Sequence, residues 1–353
     1  MVDASAAYRR SRRVLRRSSR LSGMTILAVL AAGAGPAGIA AAGATPGAGR
    51  PVAADCAGPP LPSAAVTAQL VKDGFAFTEG PTWVKDPGYL LFSDMQPASG
   101  PQHVQPSSIW RFTPPNTFER FIAGAGSNGL AVTADGTRIV AGTHDQRSVS
   151  SFVLADRTRS VVADGYQGRH FNSPNDVTIA TDGTVYFTDP NYQRGNRADE
   201  LNGMTGVFRI RGGQVELVDG TLSQPNGIAL APDGATLYVA ATATNQIYRY
   251  PIRPDGQIGG RTQFATLDTP DGVTVDCAGN LYWVSNRAGL VHVFAPDGRR
   301  LGTISAGRNS TNVAFGGPDR RTLFITSGTP ASRSGPANFG IYSVRLNLPG
   351  NPY

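Results

Sequence analysis

Six residues able to offer oxygen to a cation recur along the chain in the same local setting. Glu79, Asn128, Asn175, Asn226, Asp271 and Asn312 stand at intervals of 49, 47, 51, 45 and 41 residues. Each opens a short apolar run: "TEGPTW", "SNGLAV", "PNDVTI", "PNGIAL", "PDGVTV" and "TNVAFG". Taken singly, each reads as a turn residue, because Asn-Gly and Asp-Gly are common turns and Asn tolerates left-handed backbone. The set reads differently. No copy has Ser, Lys or an apolar residue at this phase, and only Glu79 and Asp271 carry charge, both negative. Two carboxylates with up to four amide oxygens, and no His or Cys, form an all-oxygen donor set of the kind hard divalent cations prefer. Ca2+ suits it best, since it takes roughly six to eight oxygens without strict geometry. Glu79 and Asp271 together would neutralise a 2+ ion. Without one, two neighbouring buried carboxylates would be costly, and one would tend to take up a proton.

For such residues to act together, the elements that carry them must converge. Each copy continues as a strand, a turn usually holding Asp-Gly or Gly-Asn, and a second strand. A third and often a fourth strand follow, as in 206–219, 246–252 and 290–304. Four strands per unit at a period in the forties is the signature of a propeller. The sequence therefore predicts an all-β, six-bladed β-propeller with four-stranded antiparallel blades around a central channel. The last unit offers a third strand at 341–346 and no clear fourth before Tyr353. An unattached strand at 66–77 precedes the first unit, and it is expected to complete the last blade and close the ring, leaving no free edge. The first strand of each propeller blade lines the channel, so the six residues should meet at one mouth of it. Pro fixes the approach at three of them, and Gly lets backbone crowd the axis.

The expected layout is an export signal and disordered leader over 1–54, a linker over 55–65 and the catalytic propeller over 66–353. A pI near 9.7 suggests nucleic-acid or membrane binding until the charge is placed. Residues 1–50 hold eight arginines and one acid, so the other 303 residues carry 32 − 8 = 24 basic and 25 − 1 = 24 acidic groups. A balanced domain has no broad basic face for nucleic acid. In the leader, "SRRVLRR" resembles a twin-arginine export motif, and "MTILAVLAAGAG" is too short for a confident membrane span. Export to the envelope or medium is expected, with no stable membrane insertion of the mature domain and no obligate protein partner. Cys56 and Cys277 could pair in an oxidising compartment or remain separate thiols. Neither has zinc-site spacing.

Several stretches resemble the SMP-30/gluconolactonase family, closest to its bacterial gluconolactonase branch. They are "FTEGPTW", "FNSPNDV" with "VYFTDPNY", "QPNGIALAPDGATLYV", "PDGVTVDCAGNLYWV" and "TNVAFGGPDRRTLFIT". The resemblance implies a six-bladed propeller with one catalytic divalent ion on its axis and hydrolysis of sugar lactones to aldonic acids. Ca2+ leads, with Zn2+, Mn2+ and Mg2+ as alternatives. By position, Glu79, Asn226 and Asp271 match the family's metal ligands. Asn175 matches a site that binds metal in some members and substrate in others, and Asn128 matches a pocket position. His144 and Arg147 in "GTHDQRSV" resemble a His and an Arg of the branch's second unit, there set in an "EHGNRRV"-like stretch, and are read as substrate-binding. Ser173 stands where some members carry a basic residue. Asp271 is the expected general base as well as a ligand. Tyr192 and Arg194, on the long loop 191–206, are candidate substrate contacts. Two rival readings share the fold: a metal-dependent esterase or phosphotriesterase, and an exported ligand-binding propeller without activity.

Overall fold

The computed structural model of the chain describes residues 56–329 and 338–351; the leader read over 1–54 lies outside them. Short alternating segments become strands because tight turns separate them. In the Asp135-Gly136 turn, Gly136 takes φ +68° and the Asp135 carboxylate accepts the Thr137 N–H at 3.1 Å. The same side-chain turn recurs where Asp182 accepts from Thr184 N and Asp233 from Ala235 N, both at 2.9 Å. Asp, and then Gly, are there because the carboxylate closes the turn and the next residue needs left-handed backbone.

Six four-stranded antiparallel blades result. Blade 1 is Thr78–Val84, Tyr89–Met95, Ser107–Thr113 and Thr117–Ile122. Blade 2 is Ser127–Val132, Arg138–Thr143, Ser148–Val153 and Arg159–Ala163. Blade 3 is Val177–Ile179, Val185–Asp189, Gly206–Arg211 and Gln214–Asp219. Blade 4 is Pro225–Leu230, Thr236–Ala241, Gln246–Pro251 and Thr262–Thr266. Blade 5 is Pro270–Val275, Leu281–Ser285, Leu290–Phe294 and Arg300–Ser305. Blade 6 is Arg308–Gly316, Thr322–Gly328, Phe339–Arg345 and, from the start of the described chain, Gln69–Phe75. Among the described residues no helix is long and apolar enough to cross a membrane.

The ring closes as expected, through Gln69–Phe75 paired antiparallel with Phe339–Arg345 (Leu70 opposite Tyr342). The expected strand at 66–77 is in fact divided. Its leading residues belong to Ala65–Thr67, which runs parallel to Arg300–Ser305 as a fifth strand of blade 5. One residue at Ala68 separates two pairings on neighbouring blades, a split that strand propensity cannot reveal.

The core is distributed. Each of its six clusters fills the seam between two neighbouring blades. Leu91 and Ile109 meet Leu130 and Phe152 across blades 1 and 2, and Phe187 and Phe208 meet Val140 and Val149 across blades 2 and 3. Tyr282 and Val291 meet Val313 and Ile325 across blades 5 and 6, and Phe92 meets Phe324 and Ile341 across the closure. No blade buries its faces alone; each leans on the next, so the channel geometry follows from packing all round.

Cys56 and Cys277 form a disulfide, with Cα atoms 5.6 Å apart and 221 residues between them. It lies at the turn after Pro270–Val275, the end of that strand remote from Asp271. Residues 59 and 60 also accept hydrogen bonds from Asn347, so both ends of the described chain meet beneath blades 5 and 6. Cross-linking across so long a loop restricts the unfolded chain strongly. Cys277→Ser should lower stability by about 2–4 kcal/mol, read as a lower melting temperature than wild type under oxidising conditions. Reductant should bring wild type down to the variant and leave the variant where it is.

Candidate functional site

The strand starts of four blades are bulged at or just after the recurring residue. In blade 4 the ladder jumps from Pro225 opposite Ala241 to Ile228 opposite Val239, leaving Asn226 and Gly227 unpaired in it. Blade 5 jumps likewise from Pro270 to Val273, blade 1 from Glu79 to Thr82 and blade 2 from Ser127 to Leu130. Bulges of this kind bend a strand and redirect a side chain. All six residues are buried.

Glycine lets them come together. A Cβ on Gly80 would collide with the carbonyl oxygen of Asn128, and one on Gly129 with the Asp176 carboxylate and the carbonyl of Asn175. A Cβ on Gly227 would strike the carbonyl of Asp271, and one on Gly272 the side chain of Asn312. Thr311 Oγ1 then donates to the Thr78 carbonyl at 2.7 Å, returning to blade 1. At four of the six blade junctions the next blade's entry segment thus sits in the space left by a missing side chain. Blade 3 departs from the pattern, with Asp176 after Asn175 where four other blades have Gly. Its carboxylate takes the N–H of Val177 at 3.0 Å, that of Ile228 in blade 4 at 3.4 Å and the Asn312 amide in blade 6 at 3.5 Å. Asp176 therefore reaches across the axis. It was not among the residues singled out from the sequence; the signal was the Asp in a place otherwise given to Gly.

Three buried carboxylates, Glu79, Asp176 and Asp271, consequently stand within electrostatic reach of one another. Among the described residues, however, no three His, Cys, Asp or Glu side chains are grouped closely enough to hold a metal ion by themselves, so amide oxygens would have to complete any cation site. Among the described residues none of them is in an ion pair. Burial, reinforced by Asp271 and Asp176, pushes the Glu79 carboxyl well above the usual range. Burial pushes Asp271 up to about 8 and Asp176 to about 7, the former also repelled by Asp176. Glu79 accepts only the neighbouring Gly80 N–H (3.1 Å) and reaches toward the Asn312 amide; Asp271 accepts from Asn286 Nδ2 at 3.0 Å. The Asn128 side chain is buried with both its oxygen and its nitrogen lacking a protein partner. Clustered acids without a cation, beside an amide with nothing to bind, are an expensive arrangement for folding alone. The donor set is all oxygen and suits a hard divalent cation.

Two further carboxylates hold the entry segments in place. Asp94 accepts from Ala76 N at 2.9 Å and Phe77 N at 3.1 Å, just before Glu79. Asp189 accepts from Asn172 N at 2.8 Å and Ser173 N at 2.7 Å, just before Asn175. Both close blades 1 and 3 in the same way, from the end of the second strand.

His144 and Arg147 lie at the blade 2 mouth and differ in what they have left to offer. His144 is fully buried; its Nε2 is 2.7 Å from the Gln105 carbonyl, and Nδ1 has no partner. Arg147 directs Nε to the Phe171 carbonyl and pairs Nη1 with Glu200 at 3.3 Å. The partners it has all lie on the wall between blades 2 and 3, and none belongs to the carboxylate cluster.

The SMP-30/Gluconolactonase/LRE-like region model matches residues 77–329. The chain belongs to that family. A gluconolactonase of Zymomonas mobilis is 34% identical over 306 residues, 77% of this chain and 82% of that protein. The pentonolactonase XacC of Haloferax volcanii is 30% identical over 264 residues, 70% of this chain and 80% of that one. Among solved structures, a gluconolactonase from Xanthomonas campestris superposes with a TM-score of 0.67 at 30% identity, covering 85% of this chain and 99% of its own. The family match at 77–329 spans the segments that carry Glu79, Asp176 and Asp271.

Burial holds His144 neutral, its pKa lowered to about 4 from 6.5; Asp145 and the Gln105 carbonyl resist this, while Arg197 and Arg159 add to it. The unfolded chain takes up the proton first, so stability is lost as pH falls through about 6.5 toward 4, by up to about 1.4 kcal/mol per pH unit. His144→Gln, which keeps a donor for Gln105, should flatten the stability-against-pH curve in that window by a comparable slope. Urea unfolding of the two proteins at pH 6.5, 5.5 and 4.5 checks this.

Proposed function

We propose that the protein is a divalent-metal-dependent lactonase that hydrolyses sugar lactones to aldonic acids. The observation that carries the reading is the meeting of Glu79, Asp176 and Asp271 on the propeller axis with no cationic side chain among them. Glu79, Asn175, Asn226 and Asp271 are the residues that would hold the ion, with Ca2+ the first candidate and Zn2+, Mn2+ and Mg2+ behind it. The lactonases among its relatives support the substrate class. A bound cation supplies charge stabilisation for the oxyanion that develops when water adds to a lactone carbonyl.

The chain's own residues do the rest. Asp271 is the general base: Asn286 holds one of its oxygens, and the carboxylate accepts a proton from the attacking water. As the water oxygen bonds to the carbonyl carbon, the ring C–O bond breaks, and the departing alkoxide oxygen takes that proton back from Asp271. The free amide of Asn128 and the free Nδ1 of His144 are assigned to substrate hydroxyls. Asp94 and Asp189 fix the backbone on which Glu79 and Asn175 stand. Arg147 keeps the wall between blades 2 and 3 in place.

We also propose export. The Cys56–Cys277 disulfide supports it, since such bonds persist in oxidising compartments.

Chelation should abolish opening of a small lactone panel, and Ca2+, Mn2+ or Zn2+ should restore it. Asp271→Asn and Asn226→Ala should each cut kcat/KM by at least about a hundredfold while the far-ultraviolet spectrum stays all-β. Inactivity with every metal would leave the binding-propeller reading, and faster cleavage of a phosphotriester than of any lactone would move the substrate class.

A further inference from the structure

Four large apolar or aromatic side chains are exposed among the described residues: Leu70, Val161, Val162 and Tyr192. The first three lie on the outermost strands of blades 6 and 2, where half-exposed residues are ordinary. Tyr192 stands instead at the channel mouth, 41% exposed, and it is held there rigidly. Fully buried Ser173 brackets its turn, donating from Oγ to the Pro190 carbonyl at 2.6 Å and accepting the Gln193 N–H at 3.2 Å. On the other side Gln224 Nε2 donates to Asn191 Oδ1 at 2.8 Å, and Asn191 N donates back to Gln224 Oε1 at 3.4 Å. Gln224 itself has φ +53° and directly precedes Pro225 and Asn226. Tyr192 is therefore pinned to the entry segments of blades 3 and 4 together.

The rest of its loop is fastened across the mouth. Arg197 donates to the carbonyls of His144 (2.8 Å) and Asp145 (2.9 Å) in blade 2, and Asn196 N donates to the Gln102 carbonyl (2.8 Å) in the connection between the second and third strands of blade 1. The loop is a fixed strap over the blade 1–3 side. The Tyr192 hydroxyl is 3.5 Å from the Gln224 carbonyl, with Thr242 and Asn226 in reach and Asp271 and Glu79 close enough to bear on it. A tyrosine on a turn tied down on both sides, itself 41% exposed with its hydroxyl within influence of the carboxylate cluster, is arranged for something that arrives from outside.

We propose that Tyr192 is a specificity-determining residue whose phenol donates a hydrogen bond to a ring hydroxyl of a polyhydroxylated ligand bound at the carboxylate cluster, while its exposed ring covers the ligand's C–H face. The ligand class rests on the lactonase reading; the position of the contact does not.

Wild type and Tyr192→Phe are compared on glucono-1,5-lactone and on δ-valerolactone, which has the same ring and no hydroxyls. The ratio of kcat/KM for the first over the second should fall roughly three- to tenfold in the variant, as for one lost hydrogen bond, and the change should sit in KM. An equal loss on both lactones, or none on either, overturns the proposal. Affinity for the cyclic polyol that lacks the lactone carbonyl, measured by calorimetry, is the second readout. If wild type opens neither lactone, the lactonase reading fails by itself and this measurement decides Tyr192. Weakening by the same factor in the variant sustains the contact; equal affinity, or no binding by wild type, sinks it.

Discussion

The structure depends on a crowding constraint at its axis. Six strand starts must pack around one channel, and at four of them, Gly80, Gly129, Gly227 and Gly272, a single added Cβ would strike the neighbouring chain. Bulges turn the residue before each glycine inward, and the seams of apolar residues between blades set how far apart the strands can stand. Nothing at the axis is adjustable by itself. A carboxylate placed there is desolvated by the architecture, whatever its local sequence, and that is why Glu79 and Asp271 are so far from their usual proton affinities. The fold and the chemistry are one constraint seen from two sides.

Much of this was legible because the repeat is written in residue types. The spacing of the six polar residues, the Asp-Gly turns and the unpaired strand near the start were enough to give blade number, blade order and ring closure. The convergence of Glu79, Asn226 and Asp271 followed from phase alone. What escaped has a common physical cause: it depends on contacts between segments distant in sequence, with no periodic signature. The Cys56–Cys277 bond is one case, since spacing left pairing open and only the path of residues 56–67 along blade 5 brings the sulfurs together. Arg147 is another. Its neighbourhood in the sequence suggested a substrate contact, but Glu200 on the long loop and the Phe171 carbonyl take its donors. The supporting roles of Asp94 and Asp189 were likewise invisible, because a strand-end Asp reads as a turn until its backbone partners are known.

The long loop ties blades together and carries Tyr192, the residue proposed for recognition. Its central residues knit blades 1 and 2 through Arg197 and Asn196, and its first turn is clamped by Ser173. Loops so anchored lose their conformational freedom on folding rather than on binding, so a ligand meeting them does not bear the ordering cost. That favours a preformed mouth over one assembled around its substrate.

Asp176 raises a question of charge that the hydrogen bonds answer. Three carboxylates carry one more negative charge than a divalent cation and its two counter-ligands require. They are not equivalent, however. Asp176 is already supplied by Val177 N, Ile228 N and the Asn312 amide, drawn from blades 3, 4 and 6. Glu79 has the Gly80 N–H with the Asn312 amide in reach, and Asp271 has Asn286 Nδ2 with the Asn226 amide in reach, one neighbour fewer in each case than Asp176. The acids with fewer donors are the ones that gain most from an ion, and the acid with three donors gains least. On that reasoning Asp176 is the structural member of the trio, a strut across the channel that links blades 4 and 6 to blade 3, and Glu79 and Asp271 are the two left for the role proposed for them.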